Sequence, residues 1–402
     1  MKKLLLFFLL PVLLSAQIQL SEKAEISLIT CGPTQTELYS AFGHSALRVY
    51  DPMKQLDLVF NYGVFDFDQP NFYLNFTRGN LLYKLSVGHF PSFRAYYISE
   101  DRFLHEQILN LDSTQKQAYF NFLQWNARPE NADYLYDYFY DNCATRIRDG
   151  LLKVLQKDIK IDSNYTEGGE TIRALCDMYL QDQRWGDLGI DICLGLPMDK
   201  KVGTWEYMFL PDYLEEAFSA TQIKSTDTSN WKPLVKKHNV LYTAKSTAVD
   251  TPLISPFVAG ALMLLIALFF TMWSYQDPRK ARFFDLFLFL VFGLIGLLLI
   301  VLWFFTNHQA AANNLNVLIF LPTHLLLAIA LFKKKWSRFT QKLLQFTPYY
   351  YAILLAVWIW LPQDLHLSFM PLCAAIILRT WHLSYKDKRI RNLRSNFTSK
   401  SG

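Results

Sequence analysis

The last third of the chain carries five apolar stretches, near 252–274, 283–306, 315–332, 346–361 and 368–385. Most of them approach the roughly 20 residues with which an α-helix crosses the hydrocarbon of a bilayer; the fourth and fifth are shorter. The polar segments between them alternate in charge. QDPRKAR after the first stretch, KKKWSR after the third and KDKRIRNLR after the fifth are basic, whereas NHQAAANN after the second and PQDLH after the fourth contain no Lys or Arg. Basic loops stay on the cytoplasmic side, so residues 17–251 are expected outside the inner membrane. Trp273, Trp303, Trp336, Trp358, Trp360 and Trp381 stand near the ends of the stretches, as interfacial anchors do.

The opposite end of the chain agrees. MKKLLLFFLLPVLLSA begins with two lysines, continues apolar and closes on Ser15 and Ala16, the form of a secretory signal cleaved at small residues. Cleavage after Ala16 leaves no cysteine at the new N-terminus, so the protein is not itself expected to be a lipoprotein. The expected division is a signal peptide (1–16), an exported domain (17–220), a linker rich in Ser, Thr and Lys (221–251), a transmembrane helical domain (252–385) and a basic cytoplasmic tail (386–402). The net charge of +5 asks for no nucleic-acid partner, because the basic runs sit in cytoplasmic loops and the tail. Arg379 and His382 are expected to reach cytoplasmic headgroups.

In the exported domain, EISLITCG (25–32) reads as a strand. HSALRVYD (44–51) and LDLVFNYGVFDF (56–67) read as a hairpin turning near Pro52–Met53. That turn sets His44 opposite Asn61 on a shared face. Residues 99–111 and 113–127 look helical, and a further helix starts at Asp141 or Asn142, with Ile147, Leu151 and Leu155 spaced at i, i+4 and i+8. Of the five cysteines, Cys31, Cys143, Cys176 and Cys193 fall in the exported domain, where disulfides can form, and Cys373 lies in a membrane stretch. No CxxC or His/Cys cluster has zinc spacing, and no metal or cofactor is expected.

Cys143 falls in the first turn of its helix. Unpaired N–H groups and the partial positive charge at a helix start lower a thiol's pKa and can hold an oxyanion. His44 on a strand is a suitable base, and Asn61 on the next strand a suitable orienter of its ring. Residue types in this arrangement permit acyl transfer through a thioester. Other readings stand beside it: Cys143 as half of a disulfide with Cys31, Cys176 or Cys193, His44 as a core histidine, and Asp57 as a rival orienter.

The runs FGHSALRVYDP, FNYGVFDFDQPNFYLNFTRGNLLY and YDNCATRIRD resemble the periplasmic domain of the lipoprotein N-acyltransferases called Lnb, and TNHQAAANNLNVLIFLPTHLL with its surrounding spans is similar to that family's membrane domain. The resemblance implies an α+β exported domain of circularly permuted papain-like fold, akin to NlpC-type peptidases and lecithin:retinol acyltransferase, followed by about five spans. It also implies transfer of an acyl chain from a phospholipid donor to the N-terminal amine of a diacylglyceryl-cysteine lipoprotein, with Cys143 as nucleophile and His44 as base. Asn61 as the orienter rests on the hairpin register instead. Tyr138 is a candidate for a further oxyanion donor, Arg78, Arg146 and Arg148 are candidate contacts for lipid phosphate, and His308 and Asn314, in the loop after the second stretch, are candidate contacts for headgroups. His324, inside the third stretch, is costly there and so suggestive. The alternatives are a membrane-anchored peptidoglycan endopeptidase or amidase with the same dyad, and a non-catalytic envelope-assembly protein.

Overall fold

The computed structural model describes residues 18–65, 68–226, 229–245, 252–333 and 336–399, the side chains beyond 385 excepted. The signal segment 1–16 and residues 246–251 lie outside them. The exported part is built on a seven-stranded sheet. Its strands are β1 (Glu25–Cys31), β2 (His44–Asp51), β3 (Leu56–Val64), β4 (Leu82–His89), β5 (Leu104–Leu109), β6 (Asp133–Leu135) and β7 (Val235–Tyr242). Their order is β7-β5-β1-β2-β3-β4-β6 with every neighbouring pair antiparallel. The helices of this part are α1 (Phe72–Thr77), α2 (Phe90–Ser99), α3 (Ser113–Asn126), α4 (Cys143–Leu155), α5 (Ile172–Leu180), α6 (Arg184–Cys193) and α7 (Pro211–Ala220), with short turns between them.

Strand alternation divides the core. Ile26, Leu28, Leu47, Val49 and Phe60 face α3 and α4 and bury themselves against Tyr119, Phe120, Leu123, Ile147, Leu151 and Leu155. Ile29, Cys31, Ala46 and Val59 point the other way, onto Phe90 and Tyr97 of α2. The i, i+4, i+8 row of α4 therefore fixes how that helix lies on the sheet. Truncating Leu151, which is fully buried, should cost about 2–5 kcal/mol.

Two expectations fail here. The helical spacing of Phe103, Gln107 and Leu111 concealed strand β5, which lies between β1 and β7 and whose polar residues are covered too: Gln107 is bonded to Glu215 and Ser219, and Glu106 to Arg48. Residues 221–226 and 229–245 of the expected linker are not bare. Gln222–Lys224 and Trp231–Pro233 join Ile159–Lys160 in a small sheet, and β7 closes one edge of the large sheet. Exposed lysines 236 and 237 are what an edge strand carries to discourage pairing with another chain. That composition reads as a tether when the sequence stands alone.

In the membrane domain, three helices are long and apolar enough to cross a bilayer among the described residues: Pro256–Trp273 (α8), Pro278–Phe305 (a short turn and α9, Arg282–Phe305) and Arg338–Trp360 (α11, Arg338–Val357, and a turn). The stretch 315–332 is not one helix. It forms a 3-10 turn at Leu315–Leu318, breaks at Pro322 and resumes as α10 (His324–Ala330), because a proline cannot continue the ladder. α12 (Phe369–Ser399) runs from the last stretch into the tail. Arg379 does not reach headgroups: it and Asp285 of α9 are fully buried and paired at 2.7 and 2.9 Å, with Thr271 of α8 accepting a further N–H at 2.8 Å.

The two domains touch along α6 and the segment after it. Asn316 Nδ2 donates to the Asp191 carbonyl and Asn314 Nδ2 to that of Ile192, both at 2.8 Å. Gly195 N–H donates to Ala310 O at 2.7 Å, Gln363 Nε2 to Leu194 O at 3.0 Å, and Asp364 N–H to Asp199 Oδ1 at 2.9 Å. Beneath this seam the buried Arg173 holds Asp191 at 2.5 Å and Asp199 at 2.8 Å. Buried polar groups paired across the seam make a specific joint, since parting them would strand each donor and acceptor.

Candidate active site

Asn142 sets the position of Cys143. Its Oδ1 accepts from the N–H groups of Ala144 and Thr145 at 3.0 Å, and Thr145 Oγ1 accepts from the Asn142 N–H at 2.8 Å. This reciprocal cap makes Cys143 the first residue of α4. The Asn142 amide is itself held, donating to Tyr138 O at 2.9 Å and Phe209 O at 2.8 Å, so the helix start cannot swing.

His44 opens β2. Its Nε2–H donates to Asn61 Oδ1 at 2.6 Å. That bond fixes the tautomer and leaves the other ring nitrogen for the Cys143 thiol, to which the ring is hydrogen-bonded. Tyr97 stacks nearly parallel to the imidazole at 6.3 Å. Burial opposes charge on both groups, yet the net directions are those of an ion pair. The Cys143 thiol is held below its ordinary pKa by the His44 charge and hydrogen bond and by the N–H groups of Ser45 and Ala144, against its burial. His44 is raised, again against burial, by the charge and hydrogen bond of Cys143 and by Asn61. Both shifts run toward a thiolate beside an imidazolium, the pairing that a nucleophile and an acid in contact require.

The hairpin register differs from the expected one. Asp51 pairs with Leu56 and Leu47 with Phe60, so the turn is longer and Asn61 sits diagonal to His44 instead of directly across. The shift is two residues, one full side-chain period, so Asn61 keeps its face. Asp57 is engaged elsewhere: Arg48 grips it at 2.7 and 2.9 Å and reaches Glu106 at 2.9 Å. All five cysteines are free.

Gly63 and Tyr134 went unnoticed in the sequence. Gly63 has φ +84°, and a β-carbon there would stand 3.1 Å from Tyr136 Cε2, 3.8 Å from Cys143 Cβ and 3.9 Å from Tyr134 Oη. It lies where the β3–β4 register slips between Asn61 and Val64, a bulge of the kind found beside active sites. A glycine within a strand pattern signals such a bulge or a close approach, and NYGVF carried that signal. Tyr134 Oη is buried without a partner, under the Arg146 guanidinium 4.0 Å from its ring centre. Nothing in the sequence marks it among so many tyrosines. Tyr138 is further out: its ring packs on Tyr136 at 5.3 Å and its hydroxyl bonds Tyr83.

The remaining expected contacts are scattered. Arg78 is exposed at the end of α1. His308 Nε2 lies 3.2 Å from Phe76 O, which ties the periplasmic loop to α1. Asn314 is fully buried and spends its side chain on Ile192 and on the N–H of Asn316; it is a joint residue and no headgroup can reach it. His324 is buried, its Nδ1 2.9 Å from Leu321 O. Arg146 and Arg148 pair with Asp141 and Asp149.

Residues 15–177 match the family model described as the Lnb N-terminal periplasmic domain, and residues 248–389 match that described as the Lnb transmembrane domain. No curated protein and no solved structure matches the chain.

Proposed function

Since the chain belongs to the Lnb family and carries both of its domains in order, we propose that it moves an acyl chain from a phospholipid, by way of a thioester on Cys143, to the N-terminal amine of diacylglyceryl-cysteine lipoproteins. It is an inner-membrane protein of the lipoprotein N-acyltransferase type, and its N-terminal domain is periplasmic. The observation that carries the finer reading is His44, bonded through Nε2 to Asn61 at 2.6 Å and acting on the Cys143 thiol by charge and hydrogen bond.

In the first half-reaction the Cys143 thiolate attacks the ester carbonyl. The oxyanion that forms lies at the start of α4, where the Cys143 N–H stands outside the Asn142 cap that takes those of Ala144 and Thr145, and Tyr134 Oη supplies a donor not otherwise used. Collapse breaks the ester C–O bond, and the lysophospholipid oxygen leaves with the proton of the imidazolium. In the second, the lipoprotein amine attacks the thioester, His44 takes the surplus proton, and Cys143 returns as thiolate. Asn61 keeps the ring aligned through both steps.

The same reading assigns the exported domain a permuted papain-like fold, with the histidine strand preceding the cysteine helix. It assigns the membrane domain five crossings, with the broken stretch 315–332 and α12 completing the three long helices. A peptidoglycan hydrolase would leave the spans without a task, whereas donor and acceptor lipids are both held in the leaflet they occupy.

The test is expression of wild type and Cys143→Ser in cells lacking other N-acylating enzymes, with mass spectrometry of lipoprotein N-terminal peptides. Triacylated peptides with wild type only are expected. Equal triacylation by the variant rejects Cys143 as nucleophile, and diacyl peptides with wild type reject the reaction.

A further inference from the structure

α1 is tied to the membrane domain where α9 ends. Asn307 N–H donates to Arg78 O at 2.8 Å, Asn307 Nδ2 to Asn80 Oδ1 at 2.9 Å, and His308 Nε2 lies 3.2 Å from Phe76 O. Gly79, at φ +76°, allows this approach: a β-carbon there would fall 2.8 Å from the His308 nitrogen. Phe305, the last residue of α9, is two positions from Asn307, so α1 rides at the level where a spanning helix leaves the hydrocarbon.

At that level α1 exposes Tyr73 (72 %), Leu74 (47 %) and Phe76 (40 %). Exposed apolar side chains grouped on one short element mark an interaction surface. Its inner residue, Phe72, begins a continuous line of rings inward. Phe76 meets Phe72 at 6.0 Å, Phe72 meets Phe65 at 6.3 Å, Phe65 meets Tyr83 at 5.1 Å, and Tyr83 meets Tyr136 at 4.5 Å. Tyr136 borders the space over Gly63 that Cys143 also borders. Arg78, exposed at the end of the same helix, would stand among lipid phosphates.

We propose that α1 is a lipid-docking lip: Tyr73, Leu74 and Phe76 bed in the outer leaflet, and the ring line from Phe76 to Tyr136 guides the donor's acyl chain from that leaflet to Cys143. The occupant is a phospholipid acyl chain, because the surface is apolar, borders the bilayer through its tie to α9 and leads to the thiol. This rests on the acyl-transfer reading for the direction of traffic, and on geometry alone for the depth of α1.

Two measurements on the full chain in nanodiscs of phosphatidylethanolamine and phosphatidylglycerol test it. In a Cys143→Ser background, a nitroxide attached at Tyr73→Cys should relax with oxygen more than with a water-soluble nickel chelate. The reverse, an aqueous label, overturns the lip whatever Cys143 does. With Cys143 intact, the combined Tyr73→Ser, Leu74→Ser and Phe76→Ser variant should form acyl-enzyme from bilayer phospholipid on the order of tenfold more slowly, the equivalent of losing the burial of one apolar side chain. Its acylation by the water-soluble p-nitrophenyl butyrate should match wild type, which also shows that the variant folds. Equal rates from bilayer phospholipid overturn the lip. A wild type that forms no thioester while the label still reports hydrocarbon removes the acyl-transfer reading and leaves the lip supported.

Discussion

Two buried cysteines flank His44, and they behave oppositely. Cys31 stands directly across the β1–β2 ladder from it, in mid-core beside Tyr97, and its burial pushes the thiol up, out of the range where a thiolate exists. Cys143 is as deeply buried but begins a helix, and its pKa goes down. Nearness to an imidazole is shared, so it does not make the difference. What separates them is the hydrogen bond from His44, together with the N–H groups of Ser45 and Ala144, all of which reach Cys143. Cys143 gathers donors from its own helix start and from the beginning of β2, whereas for Cys31, at the end of β1 between β2 and β5, burial outweighs every other influence.

Removing each sulfur tests that contrast most severely. Cys143→Ser should abolish the covalent acyl adduct seen by intact-protein mass spectrometry, while Cys31→Ser should keep it; loss in both would make Cys31 a partner in the chemistry. Replacing the shared imidazole comes next. His44→Ala should lower the rate of adduct formation by about 10²–10⁴-fold, the usual contribution of a positioned acid or base, and a rate within a few fold of wild type would show that the helix start alone activates Cys143.

Tyr134→Phe is expected to lower kcat by about 10²–10³-fold if its hydroxyl serves the oxyanion. Because it also deletes a buried hydroxyl that has no partner, the variant should melt at the same or a higher temperature. A drop in both activity and melting temperature would make Tyr134 structural. Asn61→Ala removes one hydrogen bond to a ring that carries charge, worth roughly 10–100-fold. Asp57→Ala, which only frees Arg48, should cost less activity; the opposite order would shift the orienter to Asp57.

The mildest probe is pH. Iodoacetamide should alkylate Cys143 below pH 8.5, about where an ordinary thiol titrates, and leave Cys31 untouched until the protein unfolds. The sign follows from the two directions: reactivity falls as pH drops through the lowered thiol pKa. Turnover also falls as pH rises through the raised pKa of His44, when no proton remains for the leaving oxygen. A thiol that reacts only above pH 8.5 would erase the contrast with Cys31.

The histidine, the cysteine and the amide were legible because each sits on a locally coded element. Asn142 with Thr145 spells a helix cap, and the hairpin's alternation preserves a face even when its turn is misjudged by two residues. Strand β5 was not legible, since it is covered on both sides and its apolar residues fall by chance at helical spacing. β7 was not either, because an edge strand dressed in lysines has the composition of a linker. Tyr134 is invisible for another reason. Its distinction is a missing partner, and a missing partner is a property of three-dimensional neighbours. The break at Pro322 could have been read from the residue itself, but the turned-back amides of Asn314 and Asn316 depend on α6, more than a hundred positions earlier.

The Arg379–Asp285 pair joins the second long membrane helix to the last one. During synthesis Asp285 enters the lipid long before its counter-charge exists, and an unpaired carboxylate there is costly. Completion of the last helix is therefore what makes the earlier one comfortable, and the polypeptide proofreads its own length. Ribosome-stalled or nonsense-truncated products ending before Arg379 should be cleared by membrane proteases faster than the full chain in a pulse-chase experiment, and Asp285→Asn should lengthen their half-life.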